Sequence, residues 1–298
     1  MADLSTRLRI ETSINSSGKI LNEGLIQMLK EKHYYVKDYE LDGDAPKQFI
    51  KAYVYEDQES NIRVNNPKSW YSYIAKTAEK WYPHESVIEY MINRIGQEMD
   101  LEMNKIKLVK VNGQIRFLSR YFLNKNEKLI HGAEICGEHL GDTEMANEIA
   151  KSRSTARDLF TFEFIHEAIE NVFPQCSGLI LDSLVKMIGF DALVGNNDRH
   201  FYNWGVIDTK KKTRLAPAFA PIYDSARGLL WNQSDENIVK MYNLHMEGGK
   251  RVLKYIEEAY PRISIEGNSE ASHFELIKYV KKYNKRYESI VNQLACVE

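Results

Sequence analysis

Gly195-Asn-Asn-Asp198-Arg-His-Phe-Tyr-Asn203, followed by Ala220-Pro-Ile-Tyr-Asp224, is the stretch on which the fold turns. Asp198 and Asn203 are five residues apart, and Asp224 lies 21 beyond Asn203. One broad class of phosphoryl-transfer site has this spacing. An Asp orients the accepting hydroxyl, an Asn five residues on binds Mg²⁺, and a later Asp binds Mg²⁺ from another loop. A phosphoryl group in transfer needs little covalent help. It needs cations to neutralise its charge and a carboxylate to hold the nucleophile in line. A polar turn whose Asn and Asp only cap local backbone is the alternative for so short a pattern.

The flanking sequence places these groups on loops. Ile180 to Ile188 has the periodicity of a helix, with Leu181, Leu184, Val185 and Ile188 on one stripe, and Gly195 ends it. Trp204 to Ile207 is expected to be a short strand, Asp208 to Thr213 a polar turn and Arg214 to Phe219 a return strand.

The two stretches resemble the catalytic and metal-binding loops of HipA-like serine/threonine kinases, which are bacterial toxin kinases and their relatives. That family writes them roughly as Gly-Asn-x-Asp-x-His-x-x-Asn and Pro-x-Tyr-Asp. The resemblance implies Asp198 as catalytic base, Asn203 and Asp224 as Mg²⁺ ligands, ATP as phosphoryl donor and His200 as a loop-structuring residue. It also implies an α+β, bilobal protein-kinase-like fold. The expected division is a mixed strand/helix, nucleotide-binding lobe over 1–124 and a mainly helical lobe over 125–298. The latter carries the catalytic loop, the metal loop and a helical bundle.

A nucleotide site also needs a phosphate-binding Lys. Gln48 to Tyr55 alternates and is rich in β-formers, so it predicts a strand with Lys51 inside it. Its partner acid is expected on the helix His84 to Gly96, where Ile88, Met91, Ile92 and Ile95 form one face. Glu85 opens that face and Glu89 is the runner-up; a Glu eleven residues before a Gly also fits the family helix. A helix-terminal Glu complementing the dipole is the simpler alternative for Glu85. Ile106 to Phe122 predicts a β-hairpin turned by Asn112-Gly113. Its end, Arg120-Tyr121-Phe122, falls where the family forms the adenine hinge, but Phe122 replaces the usual Asp. Thr12 to Lys19 is the candidate phosphate loop, with Ser16, Ser17 and Gly18 as nucleotide contacts and the serines as autophosphorylation sites by resemblance. It holds a single Gly and matches no standard phosphate-binding motif.

Composition excludes several classes. With 43% hydrophobic and 28% charged residues the 298-residue chain suits a folded protein. A net charge of −2 gives no nucleic-acid footprint. Three scattered cysteines suit neither a zinc site nor a disulfide framework. No signal peptide opens the sequence and no apolar run approaches ~18 residues, so a cytoplasmic protein off the membrane is expected. Asn124 to Lys128 reads as a polar linker. Ser272 to Glu275 reads as a capping box opening a last helix that buries Ile277, Val280, Tyr287, Val291 and Leu294. The resemblance covers most of the chain and suits a short form lacking an additional N-terminal subdomain. It implies an unnamed protein substrate, a toxin or secreted-effector role and a helix-turn-helix antitoxin partner. Two rivals stay open. Phosphoinositide kinases share Asp-Arg-His-x-x-Asn but follow it with a different metal motif. A pseudokinase would bind nucleotide without transfer.

Overall fold

Alternating apolar and polar residues build the first part of the structure, and helices with broad apolar surfaces build the second. The computed structural model describes residues 26–37, 47–54, 62–76, 84–209, 216–246 and 259–295. They form two units, one of 26–94 with Asn104–Phe122, the other of Ile95–Met103 with 123–295.

The first unit is a six-stranded sheet. Its strands are β1 (Gln27–Met28), β2 (Tyr34–Lys37), β3 (Lys47–Ala52), β4 (Tyr71–Lys76), β5 (Ile106–Val111) and β6 (Gln114–Arg120), in the order β1-β5-β6-β4-β3-β2. Only β1 and β5 pair in parallel. One face buries Tyr34, Ile50, Ala52, Tyr73, Ala75, Val109, Val111 and Leu118 together. The β5–β6 hairpin turns through Asn112 and Gly113, whose φ values of 52° and 80° are those of a tight hairpin turn. Helix α1 (Glu85–Glu98) follows β4. Its buried stripe differs from the expected one. Ile88 and Ile92 are buried, but Met91 and Ile95 are 50% and 39% exposed, while Ser86, Glu89 and Asn93 are buried instead. The physical reason is that the polar groups have partners. Asn93 Nδ2 donates to the Asn104 carbonyl at 2.8 Å, and Glu89 pairs with Lys76.

The second unit starts with β7 (Glu127–His131), so the expected linker is already strand at Glu127 and Lys128. Then come α2 (Gly132–Leu140), α3 (Thr143–Lys151), α4 (Arg153–Leu159), α5 (Phe162–Val172) and α6 (Ser177–Val194). After them come β8 (Gly205–Thr209), β9 (Ala218–Phe219), α7 (Asp235–Met246), α8 (His273–Tyr283) and α9 (Lys285–Ala295). Strands β7, β8 and β9 form an antiparallel sheet. Helix α6 is its central element. Ile180, Leu181, Leu184, Val185, Met187, Ile188 and Phe190 are all buried, so its apolar surface extends well beyond a single stripe. The Ser272–Glu275 capping box forms as expected. The last helix, however, breaks at Asn284, whose backbone is extended and whose Oδ1 accepts from Arg286 N–H at 2.9 Å. Val280, Tyr287, Val291 and Leu294 are buried, and Ile277 only partly.

Gly205 opens β8 directly after the Asp198–Asn203 loop. A Cβ there would lie 2.3 Å from the Ile130 carbonyl oxygen of β7. Gly205→Ala should therefore lower stability by about 1–3 kcal/mol. A urea midpoint equal to wild type would show that β7 and β8 do not approach this closely.

Candidate phosphoryl-transfer site

The loop carrying Asp198 is built from the end of α6. Gly195, with φ 65°, takes the left-handed conformation that ends the helix. The carboxylate of Asp191, one turn back, then accepts three bonds. Asn196 Nδ2 donates to Oδ1 at 2.9 Å, and Arg199 donates Nε to Oδ2 at 2.8 Å and Nη2 to Oδ1 at 2.9 Å. Arg199 also donates to the carbonyls of Asn203 (3.1 Å) and Tyr223 and to Ser225 Oγ (2.7 Å). Burial works against its charge, but Asp191 outweighs that and holds its pKa above the ordinary value. One side chain thus ties the Asp198–Asn203 loop to the loop carrying Asp224.

Asp198 N–H donates to Asn196 Oδ1 at 3.2 Å, and Asn203 Nδ2 donates to the Asp198 carbonyl at 2.9 Å. The second bond fixes the Asn203 amide and leaves its Oδ1 as the atom able to ligate a cation. Asp224 has φ 55°, a left-handed conformation unusual for a residue with a side chain. Its charge acts on both Arg199 and His200. His200 Nδ1 accepts from Tyr202 N–H at 3.3 Å, and burial pushes its pKa down against the pull of Asp198 and Asp224. Tyr223 Oη donates to the Tyr202 carbonyl at 2.9 Å.

Among the described residues no three His, Cys, Asp or Glu side chains converge on a metal position. Asn203 and Asp224 supply oxygen donors only. That set suits Mg²⁺, which takes few protein ligands and completes its shell with phosphate oxygens and water.

The nucleotide candidates fall out differently. Lys51 lies in β3, and its Nζ donates to the Lys68 carbonyl at 3.1 Å. The strand-to-helix ion pair is made by Lys76 at the end of β4 and Glu89 in α1, Nζ to Oε1 3.4 Å, with side chains 14% and 7% exposed. Lys76 also lies 5.8 Å from the Phe117 ring centroid. Sequence alternation marks strands without ranking their lysines, so this ion pair was not foreseen; the position of Lys76 at the last strand before the helix was the available signal. Glu85 is buried at the start of α1. Arg120 stacks over Tyr71, and Tyr121 packs edge-on against Phe49 while its N–H donates to the Ser72 carbonyl. Ser16, Ser17 and Gly18 lie outside the described residues.

Residues 40–295 match the family described as HipA-like C-terminal domain. The chain belongs to the HipA-like family. Its fold is that of a kinase, α+β. The chain is similar to a solved structure of a Helicobacter pylori proinflammatory kinase, CtkA, at a TM-score of 0.64 and 16% identity, over 91% of this chain and 81% of that one. HipA of Shewanella oneidensis, solved with HipB and its operator DNA, aligns at a TM-score of 0.37 and 11% identity over 88% of this chain and 65% of that one. No curated protein matches the sequence. No helix among the described residues of this HipA-like chain is long and apolar enough to cross a membrane.

Two tests follow for the HipA-like loop scaffold. Arg199→Met would leave Asp191 buried without its countercharge, at about 3–5 kcal/mol; a urea midpoint within error of wild type would show that the pair does not hold the loops. The second concerns His273, which opens α8 and whose Nε2 bonds to the Asn196 carbonyl at 2.9 Å. Burial lowers its pKa from 6.5 to about 4, against the opposing charge of Asp191. The folded state therefore binds fewer protons than the unfolded chain between these values. Its stability contribution is full above pH 6.5 and is lost as pH falls toward 4, by at most about 1.4 kcal/mol per unit. His273→Gln keeps a donor without the titration and should flatten that slope in urea midpoints taken from pH 7 to 4.5. Equal slopes in both proteins would contradict the assignment.

Proposed function

We propose that this chain is a Mg²⁺-ATP-dependent protein serine/threonine kinase. The observation that carries it is the Arg199 guanidinium, which holds Asn203 and the Tyr223–Ser225 segment on one buried centre beside Asp198. Asp198 orients the acceptor hydroxyl and takes its proton. Asn203 and Asp224 hold Mg²⁺, which when bound neutralises charge on the transferring phosphoryl group. Residues 1–124 form the nucleotide lobe and 125–298 the catalytic lobe, with 95–103 grouping with the latter.

The phosphate-anchoring lysine is Lys76, held by Glu89, in preference to Lys51. A strand ammonium paired with a helix Glu is the arrangement this role requires. Glu85, Arg120 and Tyr121 contribute to the nucleotide pocket, and Ser16 or Ser17 takes phosphate in autophosphorylation. The family resemblance supports a toxin or effector role and a helix-turn-helix antitoxin partner. The literal Asp198-Arg-His-x-x-Asn203 match keeps a lipid acceptor as the second reading.

The test is incubation with labelled ATP and Mg²⁺, a serine/threonine protein mixture and a phosphoinositide vesicle control, followed by intact mass. Asp198→Asn should lower transfer by about 10²–10⁴-fold with ATP affinity near wild type. Asp224→Asn should abolish the Mg²⁺-dependent gain in thermal stability from ATP. Lys76→Met should weaken ATP binding more than Lys51→Met. Phosphate on lipid alone would replace the protein acceptor, and ATP binding without any transfer would leave a pseudokinase.

A further inference from the structure

Both oxygens of the Asp198 carboxylate meet guanidinium groups. Arg262 Nη2 donates to Oδ1, and Arg227 Nε lies 3.4 Å from Oδ2. Neither arginine is a loose surface side chain. Arg227 stacks 4.6 Å over the Trp231 ring, and its carbonyl accepts from Asn197 N–H at 3.2 Å.

Arg262 is delivered by a segment hung on a second, buried arginine. Arg157 donates to the carbonyls of Pro261, Ser269 (2.7 Å) and Ala271 (3.0 Å), and Ser264 Oγ donates back to the Arg157 carbonyl. The rear edge of the Arg262 guanidinium faces a small cavity. Its Nε and His273 Nδ1 are both buried, and neither has a hydrogen-bond partner among the described residues. Both residues line one cavity of about 10 Å³, shared with Asp191, Asn196 and Arg199. Because His273 is neutral and Nε2 donates to Asn196, Nδ1 is an acceptor. A single water fits this volume and can accept from Arg262 Nε–H while donating to His273 Nδ1.

A base with both oxygens ion-paired could be restrained or aimed. Lone-pair arithmetic decides between them. An ionised carboxylate accepts at roughly four sites, so the contacts to Arg227 and Arg262 leave room for an acceptor hydroxyl. What they remove is rotation of the carboxylate. We infer that Arg262 is a positioning residue of the transfer reaction, held by Arg157 and fixing the Asp198 carboxylate toward the acceptor. This rests on the kinase reading above.

Arg262→Ala should lower kcat for phosphate transfer by about 10²-fold, the loss expected from misplacing a reacting group. The KM for ATP should stay within about twofold, because Asp198 does not hold nucleotide. Guanidinium chloride at non-denaturing concentration should restore part of the rate, and Arg262→Lys should restore less than the native residue supplies. A merely structural role would raise the KM for ATP and resist rescue, and that result overturns the proposal. A higher rate in Arg262→Ala would make the contact a restraint and also overturns it, as does an unchanged rate. The pairing itself is read without activity from urea midpoints of Arg262→Ala, Asp198→Asn and the double variant. Non-additive shifts support it and additive shifts overturn it, so absence of transfer by the wild-type chain would defeat the kinase reading separately.

Discussion

The buried guanidinium of Arg199 is the constraint on which the site depends. An arginine carries five N–H donors in a fixed plane. Here Nε goes to Asp191, Nη1 to the carbonyls of Asn203 and Tyr223, and Nη2 to Asp191 and Ser225. Every donor is used, which is the condition under which a fully desolvated charge is tolerated. The acceptors come from the end of α6, the Asp198 loop and the Asp224 loop. A lysine could not replace it, because a point charge with three donors cannot reach acceptors spread around a plane. The position of the two loops is therefore a consequence of one ion pair rather than of local turn preferences.

Asp191 and Asp198 show how environment separates two chemically identical groups. Asp191 is buried and its carboxylate is satisfied by Asn196 and Arg199, so it has a structural role. Asp198 keeps 21% of its side chain exposed and meets arginines that come from outside its own loop. A carboxylate with remaining acceptor capacity beside solvent can meet a substrate; a buried one bound on both oxygens cannot. The same sequence segment thus supplies the anchor and the proposed base.

The parts legible in the sequence are those encoded over short spans. Asp198, Asn203 and Asp224 stand at fixed spacing, Asn112-Gly113 declares its turn, and Ser272 with Glu275 declares its cap. The parts that were hidden depend on distant partners. The face of α1 was misplaced because Glu89 and Asn93 are buried by Lys76 and Asn104, which no helical period reports. The break at Asn284 was hidden because the apolar spacing continues across it. Arg262 gave no signal at all, since it reaches Asp198 from 64 residues away.

Loops that carry chemistry lack the ladders that satisfy backbone groups in helices and strands, so side chains must do it. Arginine is suited to this because one planar group can bind several carbonyls at once. Arg157 holds the carbonyls of Pro261, Ser269 and Ala271, and Arg199 holds those of Asn203 and Tyr223. Both guanidiniums are buried and turned inward onto these loop groups, Arg199 with all five donors engaged. Arg227 and Arg262 bind the Asp198 carboxylate instead, from segments that the protein already fixes. The arginines thus divide into two that shape the loops and two that act on the group the loops present.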